Sequence, residues 1–127
     1  MTENKQIFKC ELCGNIVEVV HNGQGELVCC GKPMVLQAPK SEEEGFTEKH
    51  LPVIETSEEG TKVKLGAIPH PMEEAHHIEW VEMEVTEGRT CRKYLAAGEA
   101  PEVDFKAKPE EIASVRAYCN LHGLWKK

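Results

Sequence analysis

The sequence predicts an all-β protein built in two parts, a small metal-stapled unit followed by an antiparallel β-sandwich. Three observations carry that prediction. Apolar side chains recur at every second position through most of the chain, the period of a strand with one buried face. Short extended runs are punctuated by Gly, Pro and Asn, and cysteines fall in pairs at 10/13 and 29/30 inside a stretch too short to build a core of its own. Only one segment, "KPEEIAS", has the pattern of a helical turn.

Taken in order, residues 1–37 are short extended pieces parted by glycines: "QIFKC", the turn "ELCGN", "IVEVV", "HNGQGE" and "LVCCGKPMVL". A segment of this size needs a metal, disulfides or a partner to fold. Residues 38–45, "APKSEEEG", are polar, acidic and contain Pro and Gly, which suits a linker. From residue 46 to 127 the alternation returns: Val63 and Leu65; Val81, Met83 and Val85 against Glu82 and Glu84; Val103 and Phe105 against Asp104 and Lys106; and Val115, Ala117 and Cys119 on one face. Several short strands divided by turn signals point to a sandwich of the immunoglobulin type. At 127 residues, two such compact parts fit the length.

Composition narrows the function. The net charge of -7 excludes a phosphate backbone as the main partner, because nucleic acid binding needs clustered Lys and Arg. No apolar run approaches the ~18 residues that cross a bilayer, so no membrane partner is expected. "MTENKQIFKC" has neither the charged start nor the apolar stretch of a signal peptide, and a cytoplasmic location is expected. In a reducing compartment six cysteines read as metal or redox groups before they read as disulfides.

Two constellations follow. Cys10 and Cys13 form a C-x-x-C turn that aims two thiolates at one ion, and the adjacent Cys29 and Cys30 complete a four-thiolate set. Neighbouring residues must twist to reach one metal, so a distorted tetrahedron is expected, and ligand type alone leaves zinc and iron both open. The second set is His50, His70, His76, Cys119 and His122, all at turns or strand ends where side chains from separate strands can converge. Five donors around an octahedral ion leave one position open, as metal catalysis requires. Charge separates the two centres: a ferrous ion with four thiolates is formally anionic, whereas one with four neutral imidazoles and one thiolate is cationic and attracts anions. Lys49, beside His50, adds positive charge near the open position, and Glu48 stands where it can occupy or guard it.

On these residues the chain resembles desulfoferrodoxin, the two-iron superoxide reductase family. "CELCGNIVEVV" and "ELVCCGKPM" resemble its desulforedoxin-like domain, and "EKHLPVIE", "HPMEEAHHIEW" and "YCNLHGLWK" its catalytic immunoglobulin-like domain. The resemblance implies two iron ions per chain. One is a rubredoxin-like Fe(Cys)4 centre at Cys10, Cys13, Cys29 and Cys30. The other is a square-pyramidal Fe(His)4(Cys) centre with His50, His70, His76 and His122 in the plane and Cys119 axial. It implies one-electron reduction of superoxide to hydrogen peroxide, an axial thiolate that pushes electron density toward the bound oxygen, Lys49 steering the anion and helping deliver a proton, and Glu48 as sixth ligand of the oxidised iron. A rubredoxin-like electron donor and a homodimer are implied as well. His77 falls where relatives often carry an aromatic residue, and it places a rival donor beside His76.

Plainer roles are expected elsewhere: Cys91 a buried strand thiol, Trp80 and Trp125 core or site-wall packing, "SEEEG" a solvated linker, His21 an exposed turn residue. Two rival functions are compatible with these residues. A zinc-stapled structural module would close its shell with four ligands. A superoxide dismutase would cycle iron both ways and release dioxygen.

Overall fold

The computed structural model describes residues 1–42, 45–86 and 88–127. They fall into two compact units, Met1–Ala38 and Pro39–Lys127. In the first, β1 (Ile7–Lys9) pairs with both β2 (Ile16–Glu18) and β5 (Val35–Leu36), and β3 (Val28–Cys29) pairs with β4 (Lys32–Pro33). Buried apolar residues among its described residues are Ile7, Cys10 and Val19. At roughly 1.5–3 kcal/mol for each fully buried side chain, so small a set cannot offset the entropy of ordering the segment.

The second unit opens with a four-residue helix, α1 (Thr47–His50), followed by β6 (Pro52–Thr56), β7 (Thr61–Leu65), β8 (Ile78–Val85), β9 (Thr90–Tyr94), β10 (Glu102–Phe105), β11 (Ile112–Cys119) and β12 (Gly123–Lys126). These strands form two antiparallel sheets, ordered β10-β7-β6 and β12-β11-β8-β9. Val63, Leu65, Val103 and Phe105 of the first sheet close a core with Ile78, Val81, Met83, Val85, Val115, Ala117 and Cys119 of the second. The alternation identified these faces, and the fold is the all-β sandwich expected. "KPEEIAS" forms a single 3-10 turn, Pro109–Glu111, before β11 begins.

Two expectations are corrected. Glu82, placed on a solvated face by the alternation, is buried in an ion network: it pairs with Arg92 at 2.5 Å and Arg116 at 2.6 Å, its neighbours on the flanking strands. Trp80 stacks on Tyr118 on this same face, and Arg92 lies over the Trp80 ring at 4.5 Å, so the second face of β8 is buried too. Cys91 is exposed rather than buried, because β9 is the edge strand of its sheet. Trp80 and Trp125 are buried as expected, and His21 is exposed. Part of "SEEEG", Glu43 and Glu44, lies outside the described residues.

Candidate functional site

The four cysteines of the first unit meet. All their sulfurs lie within 4.8 Å of one another, with Cys13 to Cys29 at 3.6 Å and Cys29 to Cys30 at 3.9 Å. Metal–sulfur bonds of ~2.3 Å directed to a tetrahedron place sulfurs ~3.8 Å apart, so the spacing fits one ion. The twist demanded of adjacent cysteines is supplied by Cys30, whose φ of 53° is left-handed. A residue with a Cβ adopts that region at a cost of order 1 kcal/mol, which a shared metal offsets. Backbone N–H groups already point at the sulfurs, from Cys13 to Cys10 at 3.4 Å and from Asn15 to Cys13 at 3.5 Å. The Cys13 amide holds the Cys10 thiol down to about 6, while the crowd of neighbouring thiols pushes Cys30 up to about 12. Four thiolates this close cannot all ionise without a cation among them.

In the second unit, ring centroids run in a closed circuit: His50 to His70 4.5 Å, His70 to His76 4.7 Å, His76 to His122 5.0 Å and His122 to His50 4.8 Å. The diagonal from His50 to His76 is 6.4 Å. Each neighbouring pair is near perpendicular, at 72–78°, so the four imidazoles stand as the sides of a square. Cys119 is buried beside it, with Sγ 3.7 Å from Nδ1 of His122. His50, His76, His122 and Cys119 have donor atoms mutually within 4.8 Å, and His70 joins through its Nε2, 3.0 Å from Nε2 of His50.

The hydrogen bonds show what this square is for. Nδ1 of His50 donates to the Phe46 carbonyl at 2.7 Å and Nδ1 of His70 to that of Pro71 at 2.6 Å. Carbonyls only accept, so each neutral ring turns a bare Nε2 lone pair inward, and the two lone pairs face each other at 3.0 Å. A second proton does not relieve them: burial pushes His50 down and His70 down to about 4. Nε2 of His76 is likewise buried with no hydrogen-bond partner. A metal ion satisfies all of these atoms together. Burial raises the Cys119 thiol, opposed by the N–H of His122, 3.4 Å from the sulfur.

His76 and His77 are separated by local geometry. Along β8 the core residues Val81, Met83 and Val85 are odd-numbered, and straight alternation would carry His77 inward. The pairing slips between Tyr118 opposite Trp80 and Cys119 opposite Ile78, which leaves Glu79 as an extra residue. Ile78 and His76 therefore take the inner side. His77 instead hydrogen-bonds the Glu73 carbonyl through Nδ1, and its own N–H donates to Oδ1 of Asn120. Asn120 also donates to the Ala75 carbonyl, clasping the 75–77 segment to the Cys119 turn.

Glu48 and Lys49 are exposed on α1, directly before the buried His50. Gly66 sets their position. A Cβ there would lie 2.4 Å from the Glu48 carbonyl oxygen and 2.7 Å from the Lys49 carbonyl carbon, and the Ile68 N–H donates to that Glu48 oxygen at 3.0 Å. Reading the sequence missed Gly66, Asn120, Phe46 and Lys40, which touch ligand-bearing segments without themselves being metal-binding types. Only Asn120, lying inside the C-x-x-H turn, carried a signal that could have found it.

Comparison with known proteins agrees with this geometry. The desulfoferrodoxin family model matches residues 42–127 and the model of its N-terminal domain residues 2–37. The chain is 52% identical over 125 residues to a desulfoferrodoxin homolog of Archaeoglobus fulgidus, covering 98% of each, and 50% identical over 126 residues to desulfoferrodoxin of Nitratidesulfovibrio vulgaris, covering 99% of this chain and 98% of that one. The solved superoxide reductase of Treponema pallidum superposes with a TM-score of 0.75 at 27% identity, over 100% of this chain and 99% of that one. The thiol cluster and the imidazole square with Cys119 fit two iron sites. With both halves matched and both donor sets assembled, the chain belongs to the desulfoferrodoxin family.

Proposed function

We propose that the protein is a superoxide reductase, converting superoxide with one electron and two protons into hydrogen peroxide. The observation that carries this reading is the square of four inward-facing imidazoles with a buried thiol beside it. A structural zinc site closes with four donors, whereas this set offers five. Ferrous iron held there supplies the single electron and an open position for a small anion.

The chain's own residues do the rest. His50, His70, His76 and His122 present neutral nitrogens, so the centre keeps a net positive charge toward an anion. Lys49, exposed on α1, draws superoxide through an otherwise acidic shell and delivers a proton through water. Glu48, exposed on α1 beside Lys49, would offer a carboxylate to the oxidised metal. Cys10, Cys13, Cys29 and Cys30 would hold the second iron, with electrons supplied by a rubredoxin-like protein. Cytoplasmic placement is supported by six cysteines, five of which fall in the two donor sets. Among the described residues no helix is long and apolar enough to cross a membrane. A homodimer is supported by exposed apolar residues in the first unit, Leu12, Val17, Val20, Val28, Val35 and Leu36.

The test is product yield from a known dose of superoxide. Peroxide without matching dioxygen is expected, and an equal split would make the protein a dismutase. Lys49→Ala should slow the second-order reaction about tenfold and flatten its salt dependence. An unchanged rate and salt response would remove Lys49 from the reaction.

A further inference from the structure

Lys40 lies in the stretch expected to be linker, yet it is fastened to β12. Its N–H donates to the Leu124 carbonyl at 2.8 Å and its carbonyl accepts from Lys126 at 2.9 Å, a parallel bridge opposite Trp125. This anchorage carries the side chain to the Cys119–His122 turn. Its ammonium donates to the His122 carbonyl at 3.3 Å and stands 5.8 Å from the centre of the Trp125 ring. Trp125 is fully buried and stacks on His50, 4.9 Å between centroids at 17°. One cation thus contacts the Cys119–His122 turn directly and reaches His50 through a single aromatic ring.

We propose that Lys40 is a positioning residue and fixed counter-charge of the imidazole–thiolate centre, which raises the potential at which iron held there takes up its electron. A positive charge close to a redox ion favours the form with one electron more, and in a partly desolvated setting the effect persists at distances where bulk water would screen it. Lys40 is half-buried, between these limits. Lys40 and Lys49 then divide the work. The exposed lysine on α1 acts on the arriving anion, and the tethered one behind the turn acts on the metal's ligands.

The proposal rests on iron in this centre and not on the superoxide reaction. The experiment therefore reads the midpoint potential of the iron-loaded full chain by redox titration, following the visible band of the oxidised centre with no superoxide present. A protein that failed as a superoxide reductase would still report on Lys40. Lys40→Met keeps the backbone bridge and the contact with Trp125 while removing the charge, so its potential should fall. Lys40→Glu should fall further, Lys40→Arg should stay near the parent, and the differences should shrink as salt is added. Equal potentials in parent, Lys40→Met and Lys40→Glu would overturn the proposal. So would a Lys40→Arg chain that shifts, or loses iron, as much as Lys40→Met, since Lys40 would then be a structural prop.

Discussion

His76 and His77 are adjacent imidazoles with opposite fates, and the difference lies in where each ring nitrogen finds a partner. Nδ1 of His77 donates to the Glu73 carbonyl, and its backbone N–H to Oδ1 of Asn120 holds the ring there, while Nε2 of His76 is buried without a partner. His76→Ala should lower bound iron from roughly two ions per chain to roughly one, because a missing first-sphere donor is not replaced by a ring already committed elsewhere. His77→Ala should keep both, and iron counted on the two purified variants checks the pair. Equal losses would mean that the rings exchange places. The ambiguity in the sequence was real: two histidines in a row offer the same chemistry, and the slip at Glu79 that chooses between them is a pairing defect with no residue signature of its own.

Among the elements, α1 has the least to hold it. It is four residues long, far below the length at which a helix is stable alone, and no side-chain hydrogen bond caps its start. What locates it is close contact with Gly66, together with the ring of His50 inside the square. Gly66→Ala must push the Glu48 and Lys49 carbonyls aside. The rate with superoxide should fall between about 10-fold and 100-fold, as for other displacements near an ångström, while the iron stays bound. Stopped-flow rates alongside iron content test this, and an unaltered rate would show that α1 tolerates the shift. The strands of the sandwich were legible because a period of two is written along each one. This helix was not, since four residues carry no period and its placement depends on a glycine sixteen or more positions later. The buried Glu82 was hidden for a related reason, since alternation reports which face a residue takes and not whether that second face is also covered.

As a whole the molecule divides its stability unevenly. The sandwich closes on eleven clustered buried apolar residues, whereas the first unit has three, so the four-thiolate metal is expected to supply most of the order of Met1–Ala38. Removing that metal with a chelator should strip amide protection from the first unit and leave β8 and β11 protected. Hydrogen exchange resolved by segment measures both at once, and a first unit that stays protected without metal would refute the expectation. The positions of the donors also say something about biosynthesis. Cys10 and Cys29 are 19 residues apart, whereas His50 and His122 are separated by 72. The added cost of closing the longer loop is only about 1 kcal/mol. Far more consequential is that Cys119 and His122 are made after all the other donors. The thiolate centre can therefore capture its ion early in synthesis, from whatever metal the cell then offers, and the imidazole square is loaded only later, once residues 119–122 have been made and the sheets that bring its corners together have formed.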